Sequence, residues 1–326
     1  MPNDHYVAQT YLKHFTDERG LLHAYRKSDA KYFPTRPSDI CHEPDGDIIP
    51  KFLSEAAYLG AFRGAFEPMW NHVVAALKSG ACTKDVKFHI AGYWANLLVC
   101  TPTWRRIGVE LHSRGVRHAV TAHAQLSAKH GQPDEMLNRA VSALEQGRMR
   151  IQTEADYIRA QGAANVMKYA WALYNAEWLV VENETDVEFV TSDNPAALLD
   201  PGEAWATSSP FFRFLPITPS ICISSDLSKL DRRFRDQQAK PDFNLSPSGT
   251  VKGVQADAEL VGHLNAGIAM CAEDLVLSRR PSEYVRDLTA RHANHRLQVE
   301  TTEFKQGGAY YFGGRIRAVV PTERSS

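Results

Sequence analysis

The feature that most constrains this chain is a change of hydrophobic period at Tyr174. Before it, apolar residues recur at helical spacing. Tyr58, Phe62, Phe66, Met69, Trp70, Val73, Val74 and Leu77 trace one stripe, and Val86, Ile90, Tyr93, Trp94, Leu97 and Leu98 trace another. Met136, Leu137, Ala140, Val141 and Leu144 repeat the pattern after Pro133, and Ala163, Met167, Ala170, Trp171 and Tyr174 close the series. After Tyr174 the period becomes extended: Trp178-Leu179-Val180-Val181, a polar tetrad Asn183-Glu184-Thr185-Asp186, then Val187 to Thr191. That pattern reads as a β-hairpin with a four-residue loop. Strands segregated from a helical block indicate an α+β fold.

The flanks complete this picture. Val7, Tyr11, Leu12 and Phe15 mark a short amphipathic helix with His5 just before it, followed by strands near 21–25 and 31–33 and a loop from Thr35 to Pro50. The first long stripe is expected to start at Ser54 as N-cap, with Glu55 in its first turn, to kink at Pro68 and to stop at Gly80. Thr101-Pro102 separates the second stripe from a helix beginning at Trp104. Short strands are expected at 214–217 and 221–224, a polar surface excursion from Asp226 to Lys252, and a helix carrying Leu260, Val261, Leu264 and Ile268. A strand at 275–277 and a final helix over roughly Ser282 to Arg296 follow. The expected architecture is α+β, a central helical block packed on a small antiparallel or mixed sheet formed by the N-terminal and C-terminal segments. We expect one large domain over 1–326: a mixed segment 1–50, the helical block 51–175, a strand-rich segment 176–280, and a C-terminal helix and tail 281–326.

Composition excludes several classes. With 326 residues, 44% of them hydrophobic and 23% charged, the chain has the apolar mass of an ordinary globular protein. Lys+Arg 37 against Asp+Glu 38 leaves a net charge of -1, so no global basic field draws in nucleic acid or an anionic membrane. Five scattered cysteines without a CxxC pair suit a reducing compartment, and the N-terminus lacks the basic start and apolar run of a secretory signal. A cytoplasmic protein is expected. No uninterrupted apolar segment reaches the roughly 20 residues of a membrane helix. There is no GxGxxG, no Gly-rich Lys-Ser/Thr phosphate loop and no GxSxG, which disfavours dinucleotide oxidoreductases, common nucleotide hydrolases and standard serine hydrolases.

Chemistry is expected where the strand Glu188–Thr191 runs into Ser192-Asp193-Asn194-Pro195. Alternation places Val187, Phe189, Thr191 and Asp193 on one, inward face. A buried carboxylate needs partners. Asp193 is therefore either a general base, a divalent-ion ligand or a His-orienting group, or an Asx turn in which Asp193 and Asn194 cap local backbone amides. Two stretches, His5-Tyr6-Val7-Ala8-Gln9-Thr10-Tyr11-Leu12 and Phe189-Val190-Thr191-Ser192-Asp193-Asn194-Pro195, carry a resemblance. They are similar to the signatures of the domain of unknown function 4238 family, roughly His-Tyr-Val-Pro-Gln-x-Tyr-Leu and an apolar pair followed by Thr-Ser-Asp-Asn-Pro. Weaker echoes stand at Phe214-Leu215-Pro216-Ile217-Thr218-Pro219 and from Leu264-Asn265 to Leu277-Ser278. Ala8 departs from the family's proline, which loosens the start of the helix. The resemblance implies a shared fold and supplies no established reaction.

The candidate catalytic set is His5, Gln9, Asp193 and Asn194, with His5 the imidazole available to pair with Asp193. Gln9 and Tyr11 share the short helix and are candidates to donate hydrogen bonds to a substrate. The basic run from Trp104 to His118 is the one concentrated positive patch, so Arg105, Arg106 and His112 are candidates to hold an anion; the alternative is a solvated face. Arg105 and His112 share a helix face, which weakly resembles the Arg-x(4 to 6)-His motif of HEPN-type ribonucleases. Asn265, on an apolar helix face, is expected to be buried and to steady a strand end. No His, Cys or acid spacing identifies a metal site, so a divalent ion at Asp193 is an open alternative. The leading expectation is a hydrolase of phosphodiesters in RNA or DNA, a toxin or defence effector in kind. In it His5 moves the proton, Asp193 orients it or binds the ion, and arginine neutralises developing charge. Its rivals are a non-catalytic binding or regulatory protein with a buried His5–Asp193 clasp, and a small-molecule hydrolase or transferase using the same site.

Overall fold

A computed structural model describes residues 3–49, 51–52, 58–132, 134–198, 212–227, 230, 240–306 and 309–320. The helical stripes form where the spacing places them. Helix α1 (Gln9–Leu12) continues into a 3-10 turn at Lys13–Phe15. The first long stripe is broken, not kinked, into α2 (Tyr58–Gly64), a 3-10 turn at Glu67–Met69 and α3 (Trp70–Lys78). Pro68 cannot donate to the preceding turn and its ring crowds the carbonyl four residues back. The expected cap at Ser54 and Glu55, and Pro133, lie outside the described residues. Helix α4 (Lys84–Cys100) starts where the Thr83 hydroxyl accepts the Val86 N–H at 3.3 Å. Thr101 ends it and starts α5 (Pro102–Lys129), with Pro102 at the first helical position, where a missing N–H costs nothing. Helices α6 (Glu135–Glu145) and α7 (Ala155–Asn175) complete the block.

Helix α4 is its axis. Ile90, Ala91, Tyr93, Trp94 and Leu97 are all but completely buried, as are Val166, Ala170, Trp171 and Tyr174 of α7. Each large apolar side chain removed from water contributes up to about 1.5–3 kcal/mol, so this face dominates the block's stability. Close approach is built in: a Cβ added at Gly92 would sit 2.1 Å from the Phe66 ring. Among the described residues no helix is long and apolar enough to cross a membrane.

Two larger sheets lie against the block. One is four-stranded and antiparallel, in the order β3 (Tyr32–Thr35), β2 (Leu22–Arg26), β11 (Leu275–Ser278), β6 (Thr191–Ser192), so N-terminal and C-terminal segments share it. The other is five-stranded and mixed: β10 (Val251–Ala256), β5 (Glu177–Asn183), β9 (Ile221–Asp226), β8 (Phe212–Thr218), β7 (Ala197–Leu198), with β10 parallel to β5. Helices α8 (Ala258–Cys271) and α9 (Glu283–Arg291) pack on the second core. A small pair, β1 (Asn3–His5) with β4 (His42–Pro44), sets His5 opposite His42.

Several expectations need correction. The hairpin does not form: β5 pairs with β9 and β10, while residues 187–190 are not in a strand. Their backbone groups find other partners. Asn183 Nδ2 donates to the Val187 carbonyl at 2.7 Å, the Phe189 N–H to the Pro219 carbonyl at 2.8 Å, and the Val190 N–H to Asn265 Oδ1 at 3.0 Å. With these in place the chain leaves one sheet and joins the other, and Asn265 steadies the strand end as expected. The last helix stops at Arg291, and what was read as a tail is a hairpin, β12 (Arg296–Gln306) with β13 (Ala309–Val319). Its sequence cues are the buried alternation Leu297, Val299 and the Gly307-Gly308 dipeptide between the strands. The loop before Pro50 contains a 3-10 turn at Pro37–Asp39 and β4. Within the stretch read as a surface excursion, Phe243 inserts between Phe88, Trp171 and Tyr174, with ring centroids 5.1–5.5 Å apart.

Candidate functional site

The two signature stretches do meet, through residues other than the expected pair. Tyr11, completely buried, donates its phenol proton to the Pro216 carbonyl at 2.8 Å. The Thr191 hydroxyl is 2.6 Å away, and since the phenol has a single proton, Thr191 is the donor there. Thus α1, β6 and β8 are tied at one oxygen. Tyr11 therefore has no face for a substrate, which corrects its assignment as a substrate-binding group. At Ala8 the departure from proline supplies an N–H, and that N–H donates to the Tyr93 hydroxyl at 3.1 Å.

Asp193 sits where the chain passes from β6 toward β7. Oδ1 accepts the Glu273 N–H at 2.9 Å, and Oδ2 accepts those of Asp274 and Leu275 at 2.8 and 3.0 Å. It is an amide cap on the connection between α8 and β11, at long range instead of in a local Asx turn. Burial pushes its carboxyl up from the usual 3.8 to about 6, against the pull of the three N–H groups. Asn194 is equally committed: Nδ2 donates to the Cys271 carbonyl at 2.9 Å and Oδ1 accepts from the Thr101 hydroxyl at 3.3 Å. From the other side, Lys27 Nζ donates to the carbonyls of Ala269, Ala272 and His295 at 2.9, 2.8 and 2.6 Å, capping the C-terminus of α8.

His5 is not part of this cluster. Its Nε2 lies 3.2 Å from the Ser38 carbonyl, its Nδ1 3.5 Å from Gln9 Nε2, and its ring 5.3 Å from that of His42. Burial, then the facing His42, hold the imidazole below its usual value. No hydrogen bond or ion pair joins it to Asp193, so neither the expected catalytic pair nor the expected clasp is assembled. His5 and Gln9 line a shallow polar hollow with Asp4, Thr10, Lys13, Arg63 and Glu67. Among the described residues no group of three or more His, Cys, Asp or Glu side chains is placed to hold a metal ion.

The arginines of α5 are also engaged. Arg105 makes a bidentate pair with Glu43 at 2.6 and 2.7 Å, and Arg106 with Glu273 at 2.8 Å on both oxygens. Paired this way, they hold β4 and the α8–β11 connection to α5, and neither is a free phosphate ligand. His112 is held by the Thr153 hydroxyl at 3.1 Å from Nδ1.

A cavity of about 440 Å3 lies beside α5, and its wall includes Arg105 and His112. Leu98 and Val99 of α4, Ile107 and Leu111 of α5, and Ile158, Ala172 and Leu173 of α7 make most of it apolar, with Ile316 of β13 also contributing. Into this wall β8 delivers Arg213, its guanidinium carbon 5.1 Å above the Trp104 ring. Arg213 Nε and Nη1 and Trp104 Nε1 are buried and have no hydrogen-bond partner. Burial lowers Arg213 from 12.5 to about 10, so it stays positive near neutral pH. Among the described residues no Asp or Glu lines the cavity. A largely apolar hollow with a few polar groups in its wall is the usual form of a small-molecule site. Sequence reasoning passed over Arg213, although a lone cation within Phe211-Phe212-Arg213-Phe214-Leu215 is itself a signal.

The family model described as Protein of unknown function (DUF4238) matches residues 3–282, which takes in both signature stretches and every element lining the cavity except β13. No curated protein and no solved structure matches the chain. The chain therefore belongs to the DUF4238 family.

Proposed function

We propose that this protein works by binding a small organic molecule in the cavity bounded by α4, α5, α7 and Arg213 of β8. The observation that carries this reading is a mostly apolar cavity lined by Arg213 and Trp104, with Arg213 Nε and Nη1 and Trp104 Nε1 buried without a hydrogen-bond partner. A buried donor without a partner costs about 1–3 kcal/mol, and more when charged. A ligand toward which these side chains turn, so that it accepts from them, recovers that energy on binding. The five free cysteines support a reducing, cytoplasmic setting. Thermal unfolding in the presence of a panel of small acids, alcohols and amides tests the reading. Ligands of the cavity raise the melting temperature of the wild type and not that of Ala172→Phe, which fills the hollow; a panel with no effect on either counts against it.

A second reading, phosphodiester hydrolysis, draws support from Arg105 and His112 lining the same cavity. In it His112 transfers the proton, and Arg105 must first be released from Glu43. Cleavage of labelled RNA or DNA by the wild type but not by His112→Ala is the expected result; intact polymer with magnesium, with manganese and without metal rejects it.

A further inference from the structure

We infer that the ligand of this cavity is a monoanion, a carboxylate carried on an apolar body, with its head group on Arg213 and Trp104. The inference rests on the reading of the cavity as a ligand site and goes on to name the chemistry it takes.

The charge inventory of the wall decides the head group. Among the described residues two strongly cationic side chains line the cavity, Arg105 and Arg213. Arg105 is neutralised by Glu43 through two bonds of 2.6 and 2.7 Å. Among the described residues no carboxylate faces Arg213 and none lines the wall, so its positive charge is left uncompensated by them in largely apolar surroundings. A single negative charge on the ligand balances it. A neutral ligand leaves the guanidinium buried without a counter-charge, while a phosphate dianion brings in an excess negative charge that the wall cannot match. A cation meets only repulsion.

Donor count and shape agree. A carboxylate has two oxygens with about four acceptor positions, enough for the two unpartnered Arg213 nitrogens and the indole N–H. The Trp104 ring under the guanidinium holds its plane, so little rotamer freedom is lost when the head group arrives. Leu98, Val99, Ile107, Leu111 and Ile158 offer hydrocarbon to the body of the ligand, with Gln161 and His112 as polar neighbours. Tyr169, 40% exposed and also lining the cavity, marks where the hollow meets solvent.

The test is isothermal titration of the full chain with series built on one hydrocarbon body at a time. An alkyl series comprises octanoate, octanamide, octanol and octyl phosphate; an aryl series comprises naphthoate, its amide, naphthylmethanol and naphthyl phosphate. In at least one series the carboxylate is expected to bind about tenfold or more tightly than its amide and alcohol, and more tightly than the phosphate. Arg213→Leu should remove that preference by weakening the carboxylate while leaving the amide and alcohol unchanged or stronger. Trp104→Phe, which keeps an aromatic face and deletes the N–H, should weaken the carboxylate by a smaller factor and serves if Arg213→Leu does not fold. Amides or alcohols that bind as well as the acids, with binding blocked by Ala172→Phe, would overturn the monoanion and leave the cavity reading standing. Tighter binding of the phosphates would overturn the carboxylate assignment in the same way. Binding by no member of either series overturns both.

Discussion

At the end of β6 every buried polar atom has been given a protein partner, whereas in the cavity beside α5 several have been given none. The Asp193 carboxylate accepts three backbone N–H groups, and the Tyr11 phenol joins Thr191 to the Pro216 carbonyl. Arg213 Nε and Nη1 and Trp104 Nε1, also buried, have no hydrogen-bond partner. Both places combine burial with polar chemistry, so burial alone does not separate a strut from a site. What separates them is satisfaction: a completed network holds chain segments together, and an incomplete one keeps capacity for something that arrives from outside.

That contrast can be broken by mutation, most sharply at Asp193. Asp193→Ala strands three amides and is expected to lower stability by about 3–5 kcal/mol in urea denaturation; a loss below about 1 kcal/mol would mean the cap is not structural. The same residue carries a pH signature. Its carboxyl titrates at about 6 in the folded chain, against about 3.9 in an unfolded one. The folded state therefore binds that proton more tightly. The stability this group contributes is complete below about pH 4 and is lost as pH rises through 6, by on the order of 3 kcal/mol. Asp193→Asn cannot titrate, so its deficit relative to wild type should shrink from pH 4 to pH 7; a deficit that widens contradicts the assignment. Tyr11→Phe removes the shared hydroxyl and leaves the Pro216 carbonyl and Thr191 hydroxyl unpaired, an expected loss of about 1–3 kcal/mol by thermal melting. The smallest effect falls in the cavity. Arg213→Leu replaces an unpaired buried charge with hydrocarbon and should leave stability unchanged or raise it by about 1 kcal/mol. A large loss there would show that Arg213 is a strut after all.

Much of this was legible along the chain, and the limits are physical. The stripes of α4 and α7 announce themselves because a buried helix repeats its apolar residues every third or fourth position. Pro102 marks a helix start because its φ is fixed and it has no N–H to satisfy, and Gly80 marks a helix end because glycine takes a left-handed φ, here +74°, without strain. The burial of Asp193 was expected, though alternation is not its cause: residues 187–190 form no strand, and Val190, Ser192 and Asn194 are as buried as Phe189, Thr191 and Asp193. The partners of Asp193 were not legible, because the amides of Glu273, Asp274 and Leu275 are groups that every residue carries and no side-chain pattern flags. His5 and Asp193 looked like a pair because they belong to the two signature stretches; the fold uses Tyr11 and Thr191 for that junction and turns His5 toward Ser38 and His42. Arg105 and Arg106 read as a free basic patch because Glu43 and Glu273, which neutralise them, lie 62 and 167 residues away in the chain.

By itself the sequence determined the helical block, the presence of a strand layer shared by both ends of the chain, and the family. These follow from local periodicity and from short motifs, which act between neighbours. Only the tertiary structure decided which polar groups are satisfied: that Asp193 caps a distant connection, that the α5 arginines are neutralised, and that Arg213 is left without a partner. Satisfaction depends on what every other segment brings within about 3 Å of a given atom, and that is settled only when the whole chain has folded.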